Sequence, residues 1–387
     1  MCGDYFWIAY FQDVNEHQIG IVGGGLAGLT AAIALSRYGY DIAVFESNTY
    51  PHHKVCGEYL SNEILPYLNS LGVDLLAAGG KSIDRFEISS NQGKIAACRL
   101  PLGGVGISRY ALDNLLYETA KSQKVTFYFE KVQDIRFDGN GFKVESRQTR
   151  VSAPMVIGAY GKRSGLDKTL DRSFIQKKTH WLAIKAHYSF SEFPNDLVAL
   201  HNFKGGYGGL SKTEKGYVNF CYLAQYDVFK EFKDVSAFNE KIVSQNPHFK
   251  HFLTKAEPVF EHPLSIGQIS FEPKEPIVNH VLMCGDTAGL IHPLCGNGMA
   301  MAIHAGKLGS ECVHDYFNGT YKSRRDMEEA YQSSWNAHFR RRLLYGRYFQ
   351  KLLLKDSFLN WGISTFGRSE GLLQKMIAKT HGKTVSP

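Results

Sequence analysis

A glycine-rich turn near the beginning of the chain constrains its fold more than any other sequence feature. Residues 18–22 have the apolar composition of a short buried strand, Gly-Gly-Gly-Leu-Ala-Gly follows at positions 23–28, and residues 29–37 have helical apolar spacing. Residues 41–46 form a second predicted strand that ends in Glu46, 18 residues beyond Gly28, where about 20 is typical. This order of strand, glycine turn, helix, strand and acid predicts a dinucleotide-binding unit of the Rossmann type.

Each glycine of the turn has a separate expected task. Gly23 permits the tight turn, Gly25 lets the backbone approach a pyrophosphate, and Gly28 allows the helix to pack closely on the strand. The helix N-terminus carries a partial positive charge that suits the phosphates. Glu46 is expected to accept hydrogen bonds from ribose hydroxyls, which fits FAD or NAD better than NADP. The motif alone does not distinguish FAD from NAD.

The composition is that of a folded globular protein. Of the 387 residues, 44% are hydrophobic and 21% are charged, close to ordinary usage of about 45–50% and about 25%. The length predicts two or three domains of roughly 150 residues each. The seven scattered cysteines include no Cys-x-x-Cys pair, which argues against a disulfide framework, a zinc ribbon and a dithiol redox centre. Residues 1–17 contain no Lys or Arg, so we expect no secretory signal and a cytoplasmic location.

Positive charge is concentrated in the C-terminal part of the chain. The formal net charge is +7, and residues 321–387 hold 13 basic and 5 acidic residues, a balance of +8. Residues 324–355 show a helical pattern in which basic and apolar positions are interleaved. Such a helix either lies on an anionic membrane, with the protein peripheral to the inner membrane face, or packs on the protein with its charges in water. The basic residues beyond its first turn are Arg340, Arg341, Arg342, Arg347, Lys351 and Lys355.

A second motif, far downstream, selects the cofactor. Residues 281–306 have the pattern of a strand, an acidic turn, a loop and a helix. This pattern resembles the Gly-Asp flavin motif of the FAD-dependent monooxygenases and reductases that share the p-hydroxybenzoate hydroxylase fold. The resemblance implies FAD as cofactor, with Asp286 on the ribityl chain and Pro293 against the flavin ring. Reduced flavin is negative near N1 and O2, where a helix start is favourable. The residues implied to surround N1 and O2 are Gly296, Asn297 and Gly298.

Two further segments resemble motifs of the same family. Arg109 opens a predicted helix after Ser108, and the resemblance implies that it reaches the FAD phosphates. Residues 154–164 resemble the motif Gly-Ala-Asp-Gly-x-x-Ser, but Tyr160 stands where the family has an Asp that is tied to pyridine-nucleotide contact. Because no second glycine turn follows a strand, we also expect no separate nicotinamide domain. Direct reduction by NADPH is therefore expected to be slow, and the electron donor is external, either NADPH or a reduced carrier protein.

The segment after Glu46 indicates a branch of this family. Lys54-Val-Cys56-Gly57-Glu58 resembles the Lys-x-Cys-Gly-Glu segment of the geranylgeranyl reductase branch. The resemblance implies that Cys56 contacts the flavin or the substrate, and Lys54 is a candidate phosphate ligand. The Trp, Phe-Pro and Gly-x-Gly positions of that branch have no counterpart in residues 207–223, so a different lipid or an aromatic polyketide-like substrate stays open. The halogenase signature Gly-Trp-x-Trp-x-Ile-Pro is absent from the sequence.

The predicted fold is α/β, with a discontinuous Rossmann-like FAD-binding domain. A mainly antiparallel sheet is inserted into it as the substrate domain, because residues 173–274 alternate and are rich in aromatic side chains. That aromatic area favours an apolar ligand. A helical segment follows at the C-terminal end. The predicted boundaries are 18–75, 105–172 and 275–320 for the FAD-binding domain, 76–104 and 173–274 for the substrate domain, and 321–387 for the C-terminal helical segment.

These features together predict an FAD-dependent oxidoreductase. We expect it to reduce carbon–carbon double bonds of an apolar, isoprenoid or other lipid-like substrate by hydride transfer from reduced flavin. Two alternatives stay open: an aromatic monooxygenase that uses the same flavin to activate oxygen, and a flavin-binding protein without turnover. The histidines show no metal-ligand spacing, so no metal role is assigned to them, and no nucleic-acid partner is expected.

Overall fold

A six-stranded, mainly parallel sheet surrounds the glycine turn. The computed structural model describes residues 14–177, 179–232, 234–366 and 369–387. Most of residues 1–17, in which we expect no secretory signal, therefore lie outside the described residues. The strands next to the turn are buried along their whole length, as expected for strands covered on both faces. The strands, in order across the sheet, are Ile277–Val278, Val281–Met283, Met155–Gly158, Ile19–Val22, Ile42–Phe45 and Thr126–Tyr128.

Helices cover this parallel sheet and bring the two predicted cofactor motifs together. Leu26–Arg37 follows the glycine turn and packs against Gly298–Phe317, the helix that follows the second motif. The two backbones approach closely, since a Cβ atom on Gly306 would lie 2.5 Å from the carbonyl oxygen of Ala27. Arg109–Ser122 packs on the same first helix. Shorter helices are Leu65–Ser70 and Leu166–Thr169.

A nine-stranded sheet forms the second large unit. Neighbouring strands are antiparallel, except that Leu197–Phe203 and Lys81–Ser89 run parallel. One face carries buried aromatic side chains that pack against the helices Val235–Lys241 and Pro247–Lys255. The other face is turned toward a cavity. The strands in order are Glu257–Pro258, Trp181–Ser189, Val218–Gln225, Gly206–Lys212, Leu197–Phe203, Lys81–Ser89, Ile95–Gly106 and Tyr59–Ser61, with Leu264–Ile266 also paired to Trp181–Ser189.

These sheets confirm the predicted fold class, an α/β protein with a Rossmann-like part and an inserted, mainly antiparallel sheet. Two pieces of the nine-stranded sheet fall in the predicted FAD-binding ranges, namely Tyr59–Ser61 and the last two residues of Ile95–Gly106. Tyr59–Ser61 pairs antiparallel with the end of Ile95–Gly106. A three-residue strand is too short to show a periodic pattern. A four-stranded sheet not separately predicted comprises Asn15–Glu16, Arg150–Ala153, Phe142–Glu145 and Asp134–Phe137.

Three helices complete the chain: Arg324–Leu353, Asp356–Phe366 and Glu370–Thr380. The first confirms the predicted helical pattern and packs on Gly298–Phe317. The later two lie toward the nine-stranded sheet, where Gln374 Nε2 donates to the carbonyl oxygen of Arg99 at 3.1 Å. Among the described residues, no helix has both the length and the apolar composition required to cross a bilayer.

A buried ion pair attaches this C-terminal segment to the rest of the protein. The Glu63 carboxylate is fully buried, and the Arg342 side chain is only 9% exposed. Arg342 therefore does not have the solvent-facing or membrane-facing position predicted for it, whereas Arg340 and Arg341 are exposed. The donors to Glu63 are Arg342 Nη1 at 2.8 Å, Gly382 N at 2.6 Å and Asn297 Nδ2 at 3.4 Å.

We expect Arg342→Met to lower the free energy of unfolding by about 3–5 kcal/mol, because it leaves the Glu63 carboxylate buried without its cation. Urea denaturation followed by circular dichroism measures this change. The matched control is Arg341→Met at an exposed position of the same helix, which is expected to change stability by no more than about 0.5 kcal/mol. Equal effects of the two variants would contradict a stabilising role of the buried pair.

Candidate active site

A single cavity of about 1310 Å³ lies between the parallel sheet, the nine-stranded sheet and the C-terminal helices. One end is lined by the glycine turn and charged side chains, and the other end is lined by aliphatic and aromatic side chains. Gly28 is the one predicted site residue that does not line it. The predicted residues that do line it are Gly23, Gly25, Glu46, Lys54, Cys56, Arg109, Asp286, Pro293, Gly296, Asn297 and Gly298.

The three predicted glycines have different surroundings. Gly23 has a φ of +107°, and a Cβ atom there would lie 2.3 Å from the carbonyl oxygen of Ala159. A Cβ atom on Gly28 would lie 1.9 Å from the carbonyl oxygen of Gly23. Gly25 is different, because among the described residues its Cβ atom would meet only Arg109 Nη2, at 3.8 Å. The protein itself requires glycine at positions 23 and 28, whereas position 25 opens into the cavity.

Two helices begin at the cavity without a side-chain cap. Gly25 is the N-cap of Leu26–Arg37, and Asn297 is the N-cap of Gly298–Phe317. The first N–H groups of an uncapped helix are unpaired donors with a partial positive charge. Asn297 Oδ1 is buried and has no hydrogen-bond partner among the described residues. The cavity therefore offers two anion-binding ends, which fit the pyrophosphate of FAD and the N1 and O2 region of reduced flavin.

Glu46 lies at the end of the strand Ile42–Phe45 and contacts the glycine turn. Its Oε2 accepts from the Gly24 amide at 3.1 Å, and its Oε1 accepts from the Asn48 amide at 3.1 Å. Lys54 Nζ lies 3.8 Å from Glu46 Oε2. These contacts hold the carboxylate at the cavity wall, where the sequence predicted a ribose ligand.

Arg109 is held by a buried carboxylate one helical turn away. Arg109 Nε and Nη2 donate to the two oxygens of Asp113 at 2.6 and 2.8 Å, and Lys54 Nζ lies 3.0 Å from Asp113 Oδ2. Burial alone would raise the pKa of Asp113, but the charges of Arg109 and Lys54 outweigh it and lower that pKa. Both cations thus stay fixed next to the glycine turn. This position fits the phosphate contact that the resemblance implies for Arg109 and the candidate phosphate-binding role of Lys54.

The Asp286 turn is fixed by a buried lysine. Lys274 Nζ donates to the carbonyl oxygens of Asp286 and Lys162 at 2.8 and 2.7 Å. Burial lowers the pKa of Lys274 to about 8. Asp286 itself is half-buried and lines the cavity close to the loop that leads to Pro293. The two ends of a bound FAD would therefore meet acids on opposite sides, Glu46 at the ribose and Asp286 at the ribityl chain.

Tyr160 replaces the family Asp with an uncharged side chain that faces a buried ion pair. Its hydroxyl accepts from Arg172 Nη1 at 3.5 Å, and Arg172 is itself paired with Asp167 at 3.1 Å. Burial raises the pKa of the Tyr160 hydroxyl. The position next to Gly161 therefore carries no carboxylate for contact with a nicotinamide cofactor.

Side chains of the nine-stranded sheet hold the segment that carries Cys56. Cys56 is half-buried and lines the cavity. Cys221 lines the same cavity. Burial is the main cause that raises the pKa of the Cys221 thiol to about 12, and the nearby Cys56 thiol adds to the rise. The segment is fixed through its carbonyl oxygens: Lys54 accepts from Lys185 Nζ at 3.1 Å, Cys56 from Asn219 Nδ2 at 3.2 Å and Gly57 from Ser211 Oγ at 3.3 Å.

Glu58 is a buried centre of charge to which sequence reasoning assigned no role. Its φ is +54°, which is rare for a residue other than glycine. Burial alone would raise the pKa of Glu58, but the His187 hydrogen bond and the Lys185 charge outweigh it and lower that pKa. The donors to its carboxylate are the Arg109 amide at 2.7 Å, Lys185 Nζ at 2.5 Å and His187 Nε2 at 2.6 Å.

The sequence contains a signal for this cluster. Lys185 and His187 are two residues apart in the strand Trp181–Ser189, so they share a face, and both interrupt an otherwise apolar run. A Lys and a His on one face of a buried strand require a buried acid as partner. That acid is Glu58, which the geranylgeranyl reductase-like segment contains.

His53 also lies near this cluster. Ligand atoms of His53, Glu58 and His187 lie within 4.8 Å of one another, a proximity that their sequence spacing did not indicate. The Lys185 ammonium is bound to the same carboxylate. It supplies the positive charge that a metal ion would bring, so the arrangement favours an internal ion pair.

We expect Gly25→Val to fold normally, because the added side chain would extend into open space and would not clash with protein atoms. We expect it to lose FAD, because that open space is the predicted pyrophosphate site. The ratio of flavin to protein absorbance should fall at least about tenfold, which requires a loss of at least about 1.4 kcal/mol in binding. Gly371→Val is the matched control, since no atom of the described residues lies within 4 Å of a Cβ there. Full FAD content in Gly25→Val would contradict the assignment of this turn.

We expect Glu58→Gln to destabilise the protein by about 3–5 kcal/mol at pH 7, because it leaves Lys185 buried without its anion. The folded-state pKa of Glu58 lies below the ordinary 4.5. Its ion pairs therefore stabilise the fold fully above that pH, and their contribution is lost as the pH falls through the folded-state pKa.

Urea denaturation at a series of pH values measures this difference, which should shrink below pH 4.5. The exposed Glu118→Gln variant on the helix Arg109–Ser122 serves as control. A difference between wild type and Glu58→Gln that stays constant with pH would show that the charge of Glu58 is not the stabilising feature.

Known proteins resemble this chain over most of its length. A family described as FAD binding domain matches residues 16–311. Conditioned medium factor receptor 1 of Dictyostelium discoideum is 21% identical over 85% of this chain and 69% of its own length. Menaquinone reductase of Mycobacterium tuberculosis is 23% identical over 76% and 75%. Digeranylgeranylglycerophospholipid reductase of Methanosarcina acetivorans is 23% identical over 81% and 79%.

Solved structures share the whole architecture. A geranylgeranyl bacteriochlorophyll reductase-like protein from Thermoplasma acidophilum superposes with a TM-score of 0.77 at 17% identity, covering 95% of this chain and 96% of that one. The flavin-dependent brominase Bmp2 superposes with a TM-score of 0.76 at 16% identity, covering 95% of both chains. At such identities the likeness shows the fold.

The family match covers both predicted cofactor motifs and the site built from them. It confirms FAD as the cofactor and the resemblance to FAD-dependent oxidoreductases with the p-hydroxybenzoate hydroxylase fold. The contacts of the individual site residues with FAD stay predictions. The chain belongs to the FAD binding domain family and is an FAD-dependent oxidoreductase.

Proposed function

We propose that this protein reduces carbon–carbon double bonds of an isoprenoid or other lipid-like substrate by hydride transfer from reduced FAD. The observation that carries this proposal is the continuity of the cavity from the glycine turn to an apolar arm. Its volume of about 1310 Å³ exceeds the roughly 300–1,000 Å³ of an ordinary ligand pocket. FAD and an apolar chain would therefore occupy one continuous space together.

The apolar arm has two walls. The nine-stranded sheet supplies one, which supports the predicted role of residues 76–104 and 173–274 as the substrate domain, and the C-terminal helices supply the other. An apolar chain gains from burial against such walls because it leaves water. Side chains of the sheet wall include Phe86, Ile88, Leu100, Val198 and Leu200, and those of the helical wall include Phe349, Leu353, Leu359, Ile363, Leu373 and Ile377.

Two of the relatives have names that fit this chemistry. One is a menaquinone reductase and the other a digeranylgeranylglycerophospholipid reductase. Both names describe reduction of molecules with long isoprenoid chains. An apolar arm beside the cofactor is what such a substrate requires, and this chain has one.

When bound and reduced, FAD would supply the hydride for this reaction, and a solvent-linked donor would supply the proton that completes the addition of two hydrogens. The chain contributes a fixed wall and the exclusion of water, since the carbonyl oxygens of residues 54, 56 and 57 are held by donors from the nine-stranded sheet. Cys56 thus stays in place near Arg109 on the cofactor side and Cys221 of the nine-stranded sheet, where a substrate double bond would pass. Orientation of reacting groups in this way lowers the barrier without a charged catalyst.

The electron donor is proposed to be external. NADPH reduction of FAD is expected to be slow, because Tyr160 presents a neutral hydroxyl bound to Arg172 in place of the family Asp. A reduced carrier protein is the other candidate donor. The rival function, aromatic monooxygenation, shares this fold and is distinguished by its need for oxygen.

A single-turnover experiment without oxygen tests the proposal. Enzyme reduced with dithionite is mixed with a geranylgeranyl lipid, and flavin absorbance and product mass are followed. We expect the oxidised flavin spectrum to return and the product to gain two hydrogens. If the spectrum returns only after oxygen is admitted, and the product gains an oxygen atom, the monooxygenase function is correct.

Cys56→Ala is expected to keep FAD but to slow this turnover about tenfold, which corresponds to about 1.4 kcal/mol in the barrier. The reason is that Cys56 lines the cavity near Arg109 on the cofactor side and Cys221 of the nine-stranded sheet. Cys98→Ala is the matched control, because Cys98 is buried in the strand Ile95–Gly106 and does not line the cavity. Equal rates in the two variants would show that Cys56 only packs against its neighbours and does not contact the flavin or the substrate.

A further inference from the structure

The apolar arm opens to the outside between the last two helices. Four large apolar side chains there line the cavity and are also exposed. Phe358 and Trp361 come from Asp356–Phe366, and Leu372 and Met376 come from Glu370–Thr380. Their exposed fractions are 43%, 54%, 39% and 40%. Clustered exposed apolar side chains at a cavity opening indicate a contact surface and not ordinary surface. We call these four residues the cavity mouth.

Basic residues surround the cavity mouth. Lys375 and Lys379 are exposed on the same helix as Leu372 and Met376, and Lys351 and Lys355 are exposed just before the preceding helix. The acid Glu370 accepts from the Arg99 amide at 2.7 Å, so it is turned toward the nine-stranded sheet. Asp356 is exposed at the start of the helix that carries Phe358 and Trp361, so the four lysines outnumber the acids and the surface around the mouth combines apolar side chains with a net positive charge. This combination is typical of helices that lie on an anionic bilayer.

We infer that the cavity mouth rests on an anionic lipid bilayer, from which the apolar substrate enters the cavity. This inference deepens the proposed function and rests on it for the nature of the substrate. Trp361 has the side-chain type that prefers the membrane–water interface. The contact surface differs from the predicted one, because Arg342 is buried against Glu63 and the mouth lies on the two helices that follow Arg324–Leu353.

A bilayer also explains why apolar side chains are exposed at this place. An isoprenoid chain is insoluble in water, so it must pass directly from lipid into the apolar arm. At the mouth the same side chains would face acyl chains on the outside and the substrate on the inside. Lys375 and Lys379 would face the phosphate groups of the lipids, since they recur at helical spacing with Leu372 and Met376 on one face of Glu370–Thr380.

Vesicle binding of the full, FAD-loaded chain tests this inference. Vesicles of phosphatidylcholine alone are compared with vesicles that contain phosphatidylglycerol, at low and high salt. We expect binding only to the anionic vesicles and a loss at high salt, because screening shortens the range of the attraction from about 8 Å at physiological ionic strength to about 3 Å at 1 M salt. Quenching of Trp361 fluorescence by brominated lipid should accompany binding, and Trp361→Phe should remove most of that quenching.

Two pairs of variants locate the surface. The double variant Lys375→Glu, Lys379→Glu should weaken anionic vesicle binding at least about tenfold, whereas Lys143→Glu should not. Lys143 is a distant control because it lies in the four-stranded sheet, near the opposite end of the 30-residue helix Arg324–Leu353. Leu372→Ser should weaken binding similarly, whereas Leu76→Ser, exposed outside the cavity, should not. Equal effects within either pair, or no binding to anionic vesicles, would overturn the inference.

A separate assay distinguishes this inference from the proposed function. Lys375 and Lys379 do not line the cavity, so the charge-reversed variant should reduce a detergent-dispersed isoprenoid substrate at the wild-type rate. If wild type reduces that substrate but binds no vesicles, the bilayer contact is wrong and the proposed function stands. If wild type binds vesicles but reduces no isoprenoid, the proposed function fails. A salt-resistant dimer in ultracentrifugation that Leu372→Ser dissociates would show that a second copy covers the mouth instead.

Discussion

The buried carboxylate of Glu58 joins the two halves of the active site. It accepts from the Arg109 amide on the cofactor side and from Lys185 and His187 on the nine-stranded sheet. A buried charge without partners is costly, so these donors hold Glu58 in its left-handed conformation. Cys56 lies two residues before Glu58, so its position is fixed as well. The wall between cofactor and substrate therefore depends on one satisfied charge.

A second buried acid, Glu63, lies five residues after Glu58 and attaches the C-terminal helices that form one wall of the cavity. Glu63 binds Arg342 of the long C-terminal helix and the Gly382 amide near the end of the chain. Asn297, at the start of the second cofactor helix, also donates to it. The short segment between the two acids thus connects the parallel sheet, the nine-stranded sheet and the C-terminal helices. A cavity that is charged at one end and apolar at the other results from this three-way junction.

Local backbone requirements made much of the fold predictable. Gly23 and Gly28 are needed by the turn itself, and their spacing is therefore visible in the sequence. The partners of buried charges were not predictable, since Glu63 and Arg342 are separated by 279 positions. A partial signal existed, because the buried residues of the long helix recur every three or four positions and Arg342 falls on that stripe. A count of basic residues could not separate it from the exposed Arg340 and Arg341.

The most direct test of the account is a crystal structure of the FAD-loaded protein with a geranylgeranyl lipid. The predicted result is continuous lipid density from the cavity mouth at Trp361 through the apolar arm, with a double bond between Cys56 and the flavin. The C-terminal helices should keep their contacts with Glu63 in that complex. Lipid density confined to the outer surface, with the apolar arm closed by protein side chains, would contradict the account.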